Sequence, residues 1–488
     1  MNRSRKEREE KRTGFPPKAE QTNLCELRDF CKSALTRTTA LAGLTLRDAI
    51  RSRLLVSLST ILVIGLVGLP LLISGDNTLN GRLQVILNYT LSFTLAMLSI
   101  VTLWAACGGV SSEIQDRRLY LVLTKPVHRH ELWLGKWLGI VALNALLLVL
   151  TGCIIGTMTW HTLRTSPESD SAKRQAREQF LLARQSVFPE SPVSESQALA
   201  SAEALVKSGR TPAGMTTAQV EAELVKELKR SRSTVAPEGN LRFAYNLPAR
   251  ATGVNDFILN YRFESSRPAR TPVSAEWTIT TDGGASLHVD VTNYPGVPNT
   301  LLIPCTAIRG AQTLSLVYHR LDRDNPATLF MAQNGREPEL LIPSGSWVMN
   351  LSRGLLMMLF RLAFLSALGL TAGCLLSMPV AVFAAFFILV LLASAGYVES
   401  VASTGVFYIP HEGQAQTPTW LDKAVLHQFK ALNFITRPIH RLDPVPLLEE
   451  GRRISWLLTA QAMLWLAGIY TAITALAGIS LFNRRELG

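Results

Sequence analysis

Residues 54–73 read LLVSLSTILVIGLVGLPLLI, twenty residues without a charged side chain. A helix needs about 20 mostly apolar residues to cross the roughly 30 Å hydrocarbon core of a bilayer, and this stretch has that length. An ionised side chain at mid-membrane costs several kcal/mol, which explains why the charges of the chain are crowded elsewhere. The stretch therefore predicts an integral membrane protein.

Further stretches of the chain meet the same criterion. The six predicted transmembrane helices are residues 54–73, 85–107, 134–158, 354–376, 378–398 and 456–482. Arg361 lies inside the fourth, where it either snorkels to the outer interface, which is the favoured interpretation, or faces a polar cavity. Ser377-Met378-Pro379 predicts a sharp break before the fifth, because proline in the first turn of a helix loses no needed hydrogen bond.

The placement of basic residues predicts the orientation of these helices. The net charge is +12, and basic side chains crowd residues 1–53, the loop 108–133 and the C-terminal tail. Positive charge beside a transmembrane helix marks the cytoplasmic side, so both termini are expected inside a bacterial-type inner (plasma) membrane. Residues 159–350 and 399–455 then lie outside. A basic soluble protein would suggest nucleic acid, but charge placed beside the helices favours the bilayer, and no nucleic-acid partner is expected.

The long outer segment has two predicted parts. Residues 165–232 are rich in helix-forming residues, particularly 172–188, and predict a helical stalk. Within 240–345 apolar and polar residues alternate, with Asp282-Gly283 as a hairpin turn, which predicts a small β-sandwich. The predicted fold class is a membrane all-α protein of six transmembrane helices (54–158, 351–398 and 456–488), with an α+β extracytoplasmic insertion, 159–350, between the third and fourth.

The second outer segment, 399–455, has a different pattern. Apolar residues recur at helical spacing from Trp420 to Ile435, with charged residues between them. This pattern predicts an amphipathic helix on or dipping into the outer interface. A buried helix of the outer domain is an equal alternative.

Motifs of catalysis are absent from the sequence. Gly135-Lys136 is followed by Trp137 and lacks the upstream glycine, so it predicts no phosphate-binding loop. The six cysteines show neither CxxC pairs nor metal-ligand spacing. We therefore expect no catalytic residue, cofactor or metal on this chain. Ionisable residues of the outer domain, such as Glu276, Asp282 and His288, have no recognisable spacing, and solvated surface charge is the favoured interpretation.

The most informative segment is the loop at residues 112–136, SEIQDRRLYLVLTKPVHRHELWLGK. It predicts a short helix with Leu119, Val122 and Leu123 on one apolar face. Pro126 ends this helix, because the residue before a proline disfavours the helical region. A second helix then runs into the membrane. A short helix at the cytosolic surface suits the docking of another protein, and an ordinary cytosolic loop is the alternative.

This segment resembles the signature of ABC transporter permease subunits of the type-two exporter (ABC-2-like) family. The residues that carry the resemblance are Glu113, the leucine-rich run 119–123, Thr124-Lys125-Pro126-Val127, Arg129, Glu131, Leu134-Gly135-Lys136, the break Ser377-Met378-Pro379-Val380, the closing Asn483-Arg484-Arg485-Glu486-Leu487 and the approach to the first membrane helix at 44–51.

The resemblance implies that other subunits supply the functions that this chain lacks. A separate cytosolic ATPase would carry ATP and Mg²⁺, and a second permease copy or paralogue would complete a dimer. Residues 1–53 would include an amphipathic elbow helix with Leu41, Leu44, Leu46 and Ile50. The implied ATPase-docking residues on the short inner helix, the coupling helix, are Glu113, Arg117, Leu119, Leu123, Lys125, Pro126 and Arg129.

The large insertion departs from the family pattern, since about 190 residues far exceed an ordinary loop. An exporter subunit is the leading hypothesis. The second is a mechanical or scaffolding subunit that couples the ATPase to an extracytoplasmic partner without moving a solute. The third is a membrane-anchored enzyme or binding module in the outer domain.

Overall fold

The computed structural model describes most of the chain. The described residues are 18–73, 79–115, 128–166, 181–190, 234–248, 256–265, 272–284, 286–308, 311–322, 329–331, 338–404 and 420–484, with single positions 169, 173, 204 and 208. The chain divides into two units. The helical unit comprises Met1–Pro167, Leu351–Glu449 and Ile454–Gly488, and the β-rich unit comprises Glu168–Asn350 and Glu450–Arg453.

The helical unit is built mainly from long apolar helices. In chain order the described helices are α1 Lys18–Arg51, α2 Arg53–Leu72, α3 Leu79–Gln115, α4 Arg129–Thr165, α5 Trp347–Leu375, α6 Met378–Ala393, α7 Ala395–Thr404, α8 Trp420–Arg441, α9 Val445–Glu449, α10 Trp456–Ala462, a π-helical segment Met463–Tyr470, and α11 Thr471–Arg484. The continuous run from α10 to α11 is called the last helix below.

Five described segments are long and apolar enough to cross a membrane: Leu55–Leu72, Val85–Gln115, Arg129–Thr165, Trp347–Leu375 and Trp456–Arg484. They correspond to the first four predicted transmembrane helices and the sixth. The predicted fifth, 378–398, is divided. Helix α6 has 16 residues, about 24 Å at 1.5 Å per residue, and the chain turns at Ser394 before α7 begins. The prediction of exactly six membrane-crossing helices is therefore not confirmed.

Arg361 of α5 has a partner that the sequence did not predict. Its Nη1 donates to Oδ2 of Asp443 at 2.8 Å, and both side chains are largely buried. Asp443 lies in the short connection between α8 and α9. The charge of Arg361 is thus neutralised by a carboxylate of the protein itself.

Helix α8 forms where the amphipathic pattern predicted it. Phe434 is 83% exposed and Ile435 is 54% exposed, while Thr436 and Ile439 are buried on another face. The helix belongs to the helical unit.

The β-rich unit confirms a separate region of β-sheet in the predicted segment 240–345. The described strands are β1 Leu182–Val187, β2 Thr234–Val235, β3 Asn240–Asn246, β4 Phe257–Tyr261, β5 Phe263–Ser265, β6 Val273–Thr281, β7 Ser286–Asn293, β8 Asn299–Ile303, β9 Thr313–Arg320, β10 Leu329–Met331 and β11 Glu339–Ser346. They form three sheets with the orders β1-β11-β4-β8, β2-β10-β5 and β3-β9-β6-β7.

One apolar core joins strands from all three sheets. Trp277 of β6 is fully buried at its centre, with the rings of Tyr261 and Tyr318 each 5.1 Å away in edge-on contact. Along β6, buried Val273, Ala275, Trp277 and Ile279 alternate with more exposed residues. This period of two follows from side chains pointing to opposite faces of a strand.

The prediction of a helical stalk is wrong for one of its segments. Residues 182–187, inside the expected helix 172–188, form strand β1 and pair antiparallel with β11. This pairing buries Ala183 and Arg184, so a contact with residues far away in sequence overrides local helix propensity. Most of the stalk, 165–232, lies outside the described residues.

Candidate functional site

The predicted docking loop lies between two helix ends that the structure describes. Helix α3 ends at Gln115 and α4 begins at Arg129. Two of the predicted docking residues, Glu113 and Arg129, are described. The other five, Arg117, Leu119, Leu123, Lys125 and Pro126, lie outside the described residues.

Glu113 binds the next helix rather than standing free. Its Oε1 is 2.6 Å from Nζ of Lys136 on α4, and the same ammonium donates to the carbonyl oxygen of Gly109 at 3.0 Å. Only 7% of the Lys136 side chain is exposed. A buried charge must be paired and hydrogen-bonded to be tolerated, so this pair fixes the end of α3 against the second turn of α4.

Arg129, the first residue of α4, caps the end of the last helix. Its Nη1 donates to the carbonyl oxygens of Phe482 at 2.6 Å and Asn483 at 3.2 Å. Its guanidinium also lies 5.3 Å from the centroid of the Phe482 ring. The last carbonyls of a helix have no partner within the helix, and the helix dipole favours a cation there. Arg129 therefore ties α4 to α11.

Glu131 joins the start of α4 to α1. Its Oε2 accepts the backbone N–H of His128 at 3.1 Å, as in a helix capping box, and lies 3.7 Å from Nη1 of Arg37. The Glu131 side chain is only 3% exposed. An acidic residue three positions after the residue that precedes a helix was the available signal for the cap, whereas nothing in the sequence indicated Arg37 as its partner.

We call these five side chains, Arg37, Glu113, Arg129, Glu131 and Lys136, the loop-end cluster. They connect α1, α3, α4 and the last helix around the two ends of the loop. Next to them a buried apolar cluster includes Val110, Trp133, Leu370 and Phe482, which belong to α3, α4, α5 and α11. The side chains of the loop-end cluster are not arranged for catalysis. Because they connect α1, α3, α4 and the last helix, they can transmit a displacement of the loop to these four helices.

Helix α1 packs on α4 through two small residues. A Cβ at Gly135 would lie 2.5 Å from Cβ of Leu41, and one at Gly139 would lie 2.8 Å from the carbonyl oxygen of Ala42. Small residues four apart let helices approach closely where the hydrophobic effect cannot drive their association. Leu44 and Ile50 of the predicted elbow are exposed on α1.

A family model described as ABC-2 family transporter protein matches residues 39–176. This segment is an ABC-2 transporter membrane domain. The resemblance predicted from the loop and its flanking residues is confirmed by this match. A search of curated proteins finds no match for the chain.

The ABC-2 domain covers the part of α1 that packs on α4, then α2, α3 and α4. Four residues of the loop-end cluster lie within it, and Arg37 lies two residues before it. The domain is a membrane component without catalysis of its own, and its family implies an ATP-binding partner subunit. Together with the apolar helices, it shows that the chain is an integral membrane protein.

The ABC-2 domain also has an open groove of about 540 Å³ at the end of the helices opposite the loop-end cluster. It is lined by residues of α2, α3 and α4 and of their ends, including Pro70, Leu71, Val85 and Met158, with exposed Arg82 and His161 at its rim. An apolar wall beside the cationic Arg82 suits an amphiphile with a negative head.

Outside the ABC-2 domain, Asp282 of the β-rich unit has a structural role. Oδ2 of Asp282 accepts the backbone N–H of Gln312 at 2.9 Å and, more weakly, that of Thr313 at 3.4 Å. These hydrogen bonds lower the pKa of Asp282 below its ordinary value. Among the residues that the structure describes, no three His, Cys, Asp or Glu side chains come together as a metal site.

Proposed function

We propose that the chain is the permease subunit of an ATP-binding-cassette exporter, driven by a separate cytosolic ATPase that docks on residues 113–129. The observation that carries this proposal is the loop-end cluster, of which four residues lie within the ABC-2 domain. The described residues that flank 116–127 are bound to other helices, through Glu113–Lys136 on one side and Arg129–Phe482 on the other.

This arrangement supports a mechanism for coupling. When two ATPase subunits close on ATP, the docked loop is displaced. Because Lys136 holds α3 to α4 and Arg129 holds α4 to the last helix, these helices move together rather than separately. Glu131 and Arg37 extend the movement to α1. In this mechanism Glu113 and Arg129 transmit the displacement, and the predicted apolar face of 119–123 makes the contact with the ATPase.

Export is favoured by the groove at the opposite end of α2, α3 and α4. Its apolar wall and the cationic Arg82 offer a place for an anionic amphiphile leaving the bilayer. The substrate class is therefore proposed as amphiphilic and negatively charged.

The second candidate, a mechanical subunit that acts on an extracytoplasmic partner, is favoured by the connections of the β-rich unit. Strand β11 ends at Ser346 and α5 begins at the next residue, so no linker separates them. Residues 450–453, which are separated by two residues from the start of the last helix at Trp456, bind β1: Gly451 O accepts the N–H of Arg184, and the N–H of Arg453 donates to Arg184 O. Short connections of this kind would pass helix movement to the β-rich unit.

The test is a mild-detergent purification from native membranes, with mass spectrometry of the bound proteins and an assay of vanadate-sensitive ATP hydrolysis. We expect an ATPase with a phosphate-binding loop at near one-to-one ratio. Leu123→Glu should abolish its binding, because the substitution puts a charge on the predicted apolar face. The matched control, Leu121→Glu, lies off that face and should retain binding. Equal retention by both variants would rule out this docking surface.

A further inference from the structure

Strand β7 is an edge strand of the sheet β3-β9-β6-β7. It pairs with β6 over eight consecutive residues, from Thr280↔Ser286 to Val273↔Asn293, without a register shift. Within the part of the chain that the structure describes, no strand pairs with its other edge. Every second residue of such a strand directs its backbone N–H and C=O groups away from the sheet, where another strand can bind them.

Natural edge strands are usually protected against such pairing by lysine, proline or a β-bulge. The sequence of β7, SLHVDVTN, contains neither lysine nor proline, and its pairing has no bulge. Its inward residues Leu287, Val289 and Val291 pack on the core but stay only partly buried. The inward residues of β6, by contrast, are fully buried. The apolar face of the sheet is thus incomplete at β7.

The sequence of β7 is complementary to itself. When two copies run antiparallel with Val289 opposite Val289, Leu287 lies opposite Val291, and His288 lies opposite Asp290 on the other face. Ser286 lies opposite Thr292. Each copy supplies Asp290 and His288, whose Nδ1 also contacts Oε1 of Glu276 on β6, so the arrangement contains two histidine–aspartate pairs between the copies. Apolar and opposite-charge pairs across strands stabilise a sheet.

Other registers lack this match. A register shift of one residue would turn every side chain of the strand to the opposite face, so the registers to compare differ by two residues. One such shift places Asp290 opposite Asp290, and like charges directly opposite are unfavourable. The shift in the other sense places His288 opposite His288. Only the register centred on Val289 joins both histidines to aspartates.

We propose that β7 pairs antiparallel with β7 of a second copy of this chain and forms a continuous eight-stranded sheet across a two-fold axis. Such an interface is isologous, since each contact occurs twice. The added strand would cover the half-buried Leu287, Val289 and Val291. The interface goes beyond the proposed permease function, because it requires neither ATPase docking nor a transported solute.

Disulfide trapping of the full chain in membranes tests the pairing and its register. In Val289→Cys the two thiols lie directly opposite, within the Cβ separation of about 4.5–5.5 Å expected across strands. We expect oxidation to give a covalent dimer well above the level of the parent chain. In Leu287→Cys alone the two thiols lie about 13 Å apart, at roughly 3.3 Å per residue, so no dimer above the parent level should form. Co-expressed Leu287→Cys and Val291→Cys chains should cross-link to each other.

A charge-reversal variant distinguishes a loss of pairing between the two copies from a loss of folding. Asp290→Lys removes both expected His–Asp pairs between copies, yet it places a lysine opposite Glu276 within the same sheet, which should favour the folded unit. In the Val289→Cys background it should lower cross-linking several-fold. The control Asn240→Lys puts the same charge on β3, at the other edge of the sheet, and should leave cross-linking unchanged.

Two results would overturn the proposal. Equal cross-linking of Val289→Cys and Leu287→Cys would exclude the register, and unchanged cross-linking in Asp290→Lys would exclude the His288–Asp290 pairs on which the register rests. Loss of ATPase binding in the separate purification test would leave these outcomes unaffected, so the two proposals can fail independently.

Discussion

Lys136 is the most informative single residue of the helical unit. A lysine with 7% of its side chain exposed is stable only because the Glu113 carboxylate and the Gly109 carbonyl oxygen surround its ammonium group. The same residue belongs to the segment that resembles ABC-2 permeases. Its position in the ABC-2 domain is explained by helix assembly, since it fixes α4 to α3 beside the proposed docking loop.

Removal of one partner should therefore cost more than removal of both. Glu113→Ala leaves Lys136 buried and unpaired, and we expect a loss of about 3–5 kcal/mol of stability. The double variant Glu113→Ala with Lys136→Met removes the buried charge as well and should recover most of that loss. Thermal unfolding of the purified protein in detergent measures both. A single variant as stable as the double variant would contradict the assignment.

At the scale of elements, the contact between α1 and α4 depends on two glycines of α4, which have no side chain. The backbones of the two helices approach along Gly135 and Gly139, where a Cβ would meet Leu41 and Ala42. The face of α4 toward α1 therefore tolerates no methyl group at these positions, whereas Gly156 of the same helix has free space around it.

This contrast gives a matched pair of variants. Gly135→Ala places a Cβ 2.5 Å from Cβ of Leu41, so α1 must shift, and overpacking of this kind costs about 1–3 kcal/mol. Gly156→Ala on the same helix meets nothing within 4 Å and gains helix propensity. We expect a lower unfolding temperature for Gly135→Ala and an unchanged or higher one for Gly156→Ala. Equal temperatures would show that α1 is not held at Gly135.

At the scale of the whole molecule, the chain enters the β-rich unit more than once. Residues 168–350 form most of it, and residues 450–453 return to it from the helical unit. Within the returning segment, Arg452 binds the buried carboxylate of Glu339 at 2.7 Å. Asn350 Nδ2 donates to the carbonyl oxygen of Arg452 at 2.8 Å. Segments about 100 residues apart in sequence are thus held together at the first turn of α5 and shortly before α10.

The returning segment should be held chiefly by that ion pair. Arg452→Met leaves the Glu339 carboxylate, 6% exposed, without its cation, and we expect a loss of about 3 kcal/mol. Because the segment is short, the loss should appear as faster proteolytic cleavage near residues 450–453. Arg453→Met removes only an exposed bond to Ser344 and serves as the control. Equal cleavage rates in the two variants would argue against a stabilising role for Arg452.

The sequence alone determined the membrane class, the ABC-2 resemblance and the β-rich segment. These depend on local patterns: twenty apolar residues match a bilayer, and a period of two matches a half-buried strand. The same logic gave the amphipathic helix α8 and the break before Met378. It also indicated the start of α4, where Glu131 caps the helix.

Only the tertiary structure decided which distant residues are partners. Arg361 with Asp443, Arg37 with Glu131 and Arg452 with Glu339 are separated by long stretches of chain, and no local pattern encodes their pairing. Strand β1 shows the same limit, because pairing with β11, more than 150 residues later, overrides a helix-forming composition. Propensity contributes tenths of a kcal/mol per residue, and burial against a partner contributes more. Local sequence therefore determined the elements, and contacts between distant segments determined their final form and their roles.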